Sequence, residues 1–170
     1  MSITTRGGDK GDTSLLFGER VPKYHLQCES YGAVYEAMAA LGLARSLVKN
    51  EGLKGEVLRI QQELVILNGE LAAPKGRAGE LEKKVTDDML QRLDEAVRRY
   101  EEHIHLTDWT MAGASPGSAA LDLATTIIRR AERWVVRMRD EGFIENPILL
   151  KYINRLSDVT FLMAREAEKN

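Results

Sequence analysis

Two stretches of this chain carry residue types that chemistry would use. The first is Thr4-Thr5-Arg6-Gly7-Gly8-Asp9-Lys10-Gly11-Asp12-Thr13-Ser14. It gathers what a phosphate group needs: glycines that let backbone N–H groups point at one centre, hydroxyl donors and a lysine. It is not a Walker loop, because the glycine spacing and the terminal Lys-Ser/Thr are absent. A plain glycine turn is the alternative use of the same residues, although Glu19-Arg20-Val21-Pro22-Lys23 adds further cations to the segment. The second stretch is Ala124-Thr125-Thr126-Ile127-Ile128-Arg129-Arg130-Ala131-Glu132-Arg133-Trp134-Val135. At about 100° per residue, Ala124, Ile127, Ile128, Ala131, Val135 and Met138 share an apolar stripe, while Thr125, Arg129, Glu132 and Val136 share another. A guanidinium and a carboxylate at i and i+3, flanked by Thr125 and Val136, suggest a partly buried polar site; a solvated ion pair is the alternative. Arg129 and Arg133 are candidates to complete a triphosphate clamp.

Other reactive side chains offer less. His103 and His105 would point about 200° apart on a helix, which spoils shared metal ligation, and no metal centre is expected. His25 has no evident Ser or Cys partner, so no nucleophile and base pair is assigned. Cys28 stands alone, which excludes an intrachain disulfide and fits a reducing compartment; it reads as a small buried thiol. Glu101 and Glu102 form a solvated face.

The elements that must position these residues are helices. With 44% hydrophobic but only 6% aromatic residues, the composition favours helices packed by Leu, Ile, Val and Ala. A chain of 170 residues is read as one domain, 1–170. Residues 1 to about 27 read as an irregular, glycine-rich arm interrupted at Gly7, Gly8, Gly11 and Gly18 and stopped by Pro22. Five helical patterns follow. The first, about 29 to 48, is rich in small residues and is expected to stop at Glu51-Gly52. The second runs from about 53 to 71, with Val57, Ile60, Leu64, Leu67 and Leu71 at helical spacing. Thr86 is expected to cap a third helix whose inner stripe is Leu90, Leu93, Val97, Tyr100 and Ile104. The pattern lapses between His105 and Gly117, in a loop carrying Trp109. Ser115-Pro116 then opens the fourth helix, which Glu141-Gly142 closes, and Asn146-Pro147 opens a fifth running to about 168. There Asn154, Asp158 and Phe161 fall on one face. The expected fold class is all-α: a mainly antiparallel five-helix bundle behind an irregular arm.

The net charge of −2 gives no global pull toward nucleic acid or acidic membranes, so neither is expected as a partner. No apolar run is long enough to span a bilayer, and the first six residues lack the apolar core of a secretory signal. A cytoplasmic location is expected.

Five separated blocks, in order, then point to a family. They are Thr5-Arg6 with Gly8-Asp9-Lys10-Gly11; Gly18-Glu19-Arg20-Val21 with Lys23; Tyr31-Gly32-Ala33-Val34; Arg129-Arg130-Ala131-Glu132-Arg133; and Tyr152-Ile153-Asn154-Arg155-Leu156-Ser157-Asp158. Together they resemble the PduO-type ATP:corrinoid adenosyltransferases. The resemblance implies a homotrimer of five-helix bundles with active sites between subunits. It also implies transfer of the 5′-deoxyadenosyl group of ATP, bound with Mg2+, to the cobalt of a reduced corrinoid such as cobalamin, releasing triphosphate. Thr5, Gly8, Asp9, Lys10 and Lys23 would then bind ATP, Arg129 would neutralise charge as the C5′–O bond breaks, and Glu132 would orient Arg129 or the metal shell. Asn154 would contact the nucleoside or brace the site. Trp109 stands where relatives carry an aromatic that displaces the corrinoid's lower ligand. A reductase and an adenosylcobalamin-dependent enzyme are the implied partners.

The departures fall on the corrinoid side. Tyr35-Glu36-Ala37-Met38 replaces the family's Asp-Glu-Leu-Asn, and Thr125 replaces an arginine that pairs with that Asp across the subunit boundary. Losing both together leaves no unpaired buried charge. The alternative reading is a weakened family member that acts as an ATP- or corrinoid-binding carrier or sensor.

Overall fold

The computed structural model describes Thr4 and residues 6–169. Two short strands, β1 (Asp12–Ser14) and β2 (Arg20–Pro22), precede five helices: α1 (Leu26–Leu47), α2 (Glu51–Ala72), α3 (Asp87–Glu101), α4 (Pro116–Asp140) and α5 (Pro147–Glu166). The five-helix expectation holds, and caps explain most boundaries. Ser115 and Ser118 form a reciprocal capping box at the start of α4, where Pro116 occupies the first turn. Thr86 accepts from the Met89 N–H, and Asn146 from the Ile148 N–H.

Three local expectations are corrected. The arm is not wholly irregular: β1 and β2 pair antiparallel with Thr13 opposite Val21. Gly11 and Gly18, read as interruptions, take φ of +89° and +85° and shape the chain around these strands. Strands of three residues are too short to show an alternating pattern. The first helix starts earlier than expected because His25 caps it, its Nδ1 accepting from the Gln27 N–H at 3.3 Å. Glu51-Gly52 does not end that helix; it lies in the first turn of α2, capped by Asn50, whose Oδ1 accepts from the Leu53 N–H.

Around the bundle the helices neighbour one another in the order α1, α2, α3, α5, α4. Adjacent pairs are antiparallel except α3 and α5, where Asp94 meets Arg155 and His103 meets Glu166. The exception is forced: five elements that alternate up and down cannot close a ring without one parallel pair. The core between them is aliphatic, with Val34, Leu41, Val57, Ile60, Leu67, Leu93, Leu121, Ile128, Val135 and Leu156 essentially inaccessible.

One buried carboxylate ties three helices. Glu63 of α2 accepts from Arg59 at 3.0 Å, from Arg92 of α3 at 2.8 Å and from the Tyr152 hydroxyl of α5 at 2.7 Å. Burial and the neighbouring Glu63 charge push the Tyr152 phenol well above its ordinary range.

The end of α1 and the start of α4 approach closely at Val48 and Gly117. A Cβ placed on Gly117 would lie 2.9 Å from Val48 Cγ1 and 3.0 Å from its Cα. Because backbone cannot swing aside as a side-chain tip can, Gly117→Ala is expected to cost about 1–3 kcal/mol. Urea denaturation at fixed protein concentration will show this as a lower midpoint with an unchanged slope.

Candidate functional site

Burial of α4 decides where its charges go. Ala124, Ile128, Ala131, Val135 and Met138 face the core, as expected, and Arg129, Arg130 and Arg133 emerge exposed on the other side. Arg130 pairs with Glu36 of α1. Arg133 donates from Nη1 to the Arg129 carbonyl at 3.1 Å. The Arg129 guanidinium has no acidic partner among the described residues.

That cation borders a hollow of about 590 Å³ lined by Leu106, Thr107, Asp108, Trp109, Thr110, Arg129 and Phe161. Asn154 of α5 donates from Nδ2 to Glu132 Oε1 at 2.7 Å. Glu132 is thereby held by α5 rather than by Arg129. The i, i+3 ion pair suggested by spacing does not form, which leaves the guanidinium free for an anion.

Trp109 is 98% exposed and Met111 83% exposed. The indole therefore anchors no core, and the hollow is a broad polar and aromatic mouth. Phe161 was legible only as a neighbour of Asn154 and Asp158 on one helical face. Its place opposite Trp109 depends on how α5 packs, which spacing along one helix does not reveal.

The arm carries the other residues that the sequence singled out. Asp9 N–H donates to the Arg6 carbonyl and Gly11 N–H to the Gly8 carbonyl, so the glycine stretch is a run of tight turns. Arg20 straps it, donating to the Gly7 carbonyl at 2.9 Å and the Ser14 hydroxyl at 3.2 Å. The Lys23 ammonium lies against Gly8: a Cβ there would sit 3.1 Å from Nζ. Gly8, Lys10 and Lys23 are thus on one short, cation-rich segment, with Asp9 and Lys10 exposed. Thr5 lies outside the described residues.

The arm rests on the start of α1 rather than beside Arg129. Thr13 bonds to Tyr31, whose hydroxyl donates to Cys28 Sγ at 3.2 Å, and Phe17 stacks under Arg77 of the loop after α2. No described arm residue lines the Arg129 hollow. The arm residues and Arg129 therefore lie apart within one chain.

Tyr35 and Thr125, the two departures noted in the sequence, behave differently. Tyr35 is exposed and lines a 320 Å³ apolar hollow with Tyr31, Gly32, Asn68 and Ala72. Thr125 is corrected: it is 3% exposed, and its hydroxyl donates to the Leu121 carbonyl at 2.9 Å rather than joining the polar stripe. Helical phase alone placed it on the stripe of Arg129 and Glu132, and close packing against the neighbouring helix covers it.

Burial and the Cys28 thiol push the Tyr31 phenol up to about 12. Its neutral form is therefore favoured in the folded chain, and stability is expected to fall as pH rises from about 10, where an unfolded tyrosine ionises, through about 12. The difference in phenolate absorbance between wild type and Tyr31→Phe during an alkaline titration should appear near the upper value.

Known proteins resemble this chain over nearly its whole length. Residues 3–167 match the family model described as cobalamin adenosyltransferase. A Salmonella typhimurium protein named corrinoid adenosyltransferase PduO is 33% identical over 171 residues, covering 100% of this chain and 51% of that protein. This chain thus spans about half the length of that relative. A Bacillus subtilis corrinoid adenosyltransferase is 36% identical over 170 residues, covering 97% and 86% respectively. Among solved structures, a variant of a PduO-type ATP:corrinoid adenosyltransferase from Lactobacillus reuteri, with a phenylalanine replaced by alanine and complexed with cobalamin and ATP, superposes with a TM-score of 0.91. It is 31% identical, over 99% of this chain and 94% of that one. An arginine-to-lysine variant of the Lactobacillus enzyme complexed with ATP gives 0.90 at 32% identity, over 98% and 94% of the two chains.

Proposed function

Because the chain belongs to the cobalamin adenosyltransferase family, we propose that it transfers the 5′-deoxyadenosyl group of ATP to the cobalt of a reduced corrinoid. The observation that carries this reading is the Arg129 guanidinium, without an acidic partner among the described residues, at the mouth shared with Trp109 and Phe161. The alternative of a carrier or sensor has no comparable support, since the relatives named above are transferases.

The chemistry accounts for the residue inventory. Co(I) brings its own electron pair to C5′; the Co–C bond forms as the C5′–O bond breaks, and triphosphate leaves with the electrons of that bond. Neither a general base nor a side-chain nucleophile is required. The protein supplies position and positive charge. Gly8, Lys10 and Lys23 hold the phosphates, with Thr5 and Asp9 completing the arm. Arg129 meets the charge that grows on the departing oxygen. Asn154, through Glu132, keeps this face ordered.

Among the described residues no three His, Cys, Asp or Glu side chains gather as a metal centre. Asp9 of the exposed arm would approach a Mg2+ brought in with the nucleotide, which would supply charge neutralisation at the phosphates. The separation of arm and Arg129 within one chain supports a homotrimer in which the arm of one protomer meets α4 of the next. The mouth beside Trp109 takes the corrinoid, where the indole crowds the lower face of the ring and excludes a lower ligand. Tyr35 borders the same seam.

A Co(I) substrate requires a reductase upstream, and the product suits an adenosylcobalamin-dependent enzyme downstream, in the cytoplasm. No described helix is long and apolar enough to cross a membrane.

Incubating the protein with ATP, Mg2+ and chemically reduced cob(I)alamin, and following the absorbance change of Co–C bond formation, tests the reading directly. Turnover is expected, and ATP binding without turnover would overturn it. Arg129→Ala should lower turnover roughly a hundredfold or more, since removing one preorganised charge costs several kcal/mol of barrier. Trp109→Ala should make protein-bound Co(II) harder to reduce, read as a lower midpoint potential in a reductive titration.

A further inference from the structure

Arg165 of α5 is a charged residue placed where charge is costly: only 5% of its surface is exposed. Two acids hold it there. Its Nη2 donates to Asp122 Oδ2 of α4 at 2.6 Å, and its Nε lies 2.9 Å from Glu168 Oε1 in the C-terminal turn. The flat guanidinium spans 4.9 Å from its central carbon to the centroid of the Phe161 ring, one turn earlier on α5. Phe161 is the one aromatic ring from a helix that lines the Arg129 hollow, facing the exposed Trp109 loop.

A second hollow of about 320 Å³ lies behind that loop, and Arg165 lines it with His103, Ile104 and His105. Leu106 and Thr110 border both hollows. The loop therefore stands between two cavities, and its own side chains are mostly exposed. Phe161 lines one of these cavities and Arg165 the other.

From this geometry we infer that Arg165 is a positioning residue for the Trp109 mouth: clamped by Asp122 and Glu168, it fixes the plane of Phe161 and supports the loop from behind. It touches neither substrate. Its influence falls on the ligand that occupies the mouth, and not on the nucleotide held by the arm. The identity of that ligand as a corrinoid rests on the proposed function.

The test is a double-mutant cycle on the full chain. Arg165→Lys keeps the charge but loses the fork and the flat stacking face. The variant is expected to bind cob(II)alamin about tenfold more weakly and to raise the corrinoid KM by a similar factor, with the KM for ATP within about twofold of wild type. In a Phe161→Leu background the same substitution should add little, because the ring it positions is gone. Equal losses for ATP and corrinoid, or effects that add in the double variant, would overturn the inference and leave Arg165 a stability residue only. Should Arg165→Lys fail to fold, Asp122→Asn loosens the same guanidinium and carries the same cycle. Cob(II)alamin binding is measured without turnover, so a protein that binds it normally yet transfers nothing refutes the transferase reading while the cycle still decides the role of Arg165. A wild-type protein that binds no cob(II)alamin overturns the inference.

Discussion

The rotational phase of α4 is the constraint on which the site depends. Ala124, Ala131 and Val135 are fully buried and Ile128 nearly so, and α1 answers with its own small residues, Ala33, Ala37 and Ala44, so that the two backbones come close. Gly117 against Val48 sets the depth of that approach at one end. Once the stripe is buried, Arg129 must emerge, because it lies about 100° past Ile128. A helix turned by one residue would bury a guanidinium and expose an isoleucine, losing several kcal/mol through desolvation of an unmatched charge. The Arg129 cation is therefore located by apolar packing on the opposite side of its helix.

Polar burial plays a different part. Glu63 receives two arginines and a tyrosine; Glu70 receives the Val85 N–H at 2.6 Å and the Asn146 amide. Such sites contribute little net stability against an apolar alternative, but they penalise every arrangement that leaves the carboxylate unmatched. Glu63 selects which faces of α2, α3 and α5 meet. Glu70 fixes the loop before α3 and the cap of α5 to the end of α2. The parallel α3 and α5 pair, unavoidable in a ring of five, is joined by Asp94 to Arg155 and His103 to Glu166 instead of by a short hairpin.

Helices were legible in the sequence because their signals are local. Ser115-Pro116 and Asn146-Pro147 announce two starts, and the Leu93, Val97, Tyr100 spacing shows an inner face. The arm was less legible, since its strands are three residues long and its order comes from Arg20 reaching back thirteen positions to Gly7. Arg129, Glu132 and Asn154 were named from sequence, but their relation was not: Glu132 engages Asn154 of α5, and no acid among the described residues pairs with Arg129. Phe161 and Arg165 escaped notice as site residues because their meaning arises between elements. Phe161 matters only opposite Trp109, and Arg165 only through Asp122, forty-three positions away.

The paired departures at positions 35 and 125 follow from the same packing. Position 125 lies in the interface of α4 with its neighbours, 3% exposed. An arginine in that setting requires an acid within reach, and the acid that the family resemblance supplies would stand at position 35. Here Thr125 satisfies its hydroxyl on the Leu121 carbonyl of its own helix, so nothing is left for a partner to neutralise. A lone Asp at position 35 would then have lost its counter-charge, whereas Tyr35 extends an apolar hollow with Tyr31 and Ala72. An ionic link is replaced by an aromatic surface as a unit, because either half of the change alone would leave a charge without a partner. The arm cations and Arg129 lie outside this exchange, for none of them lines the Tyr35 hollow.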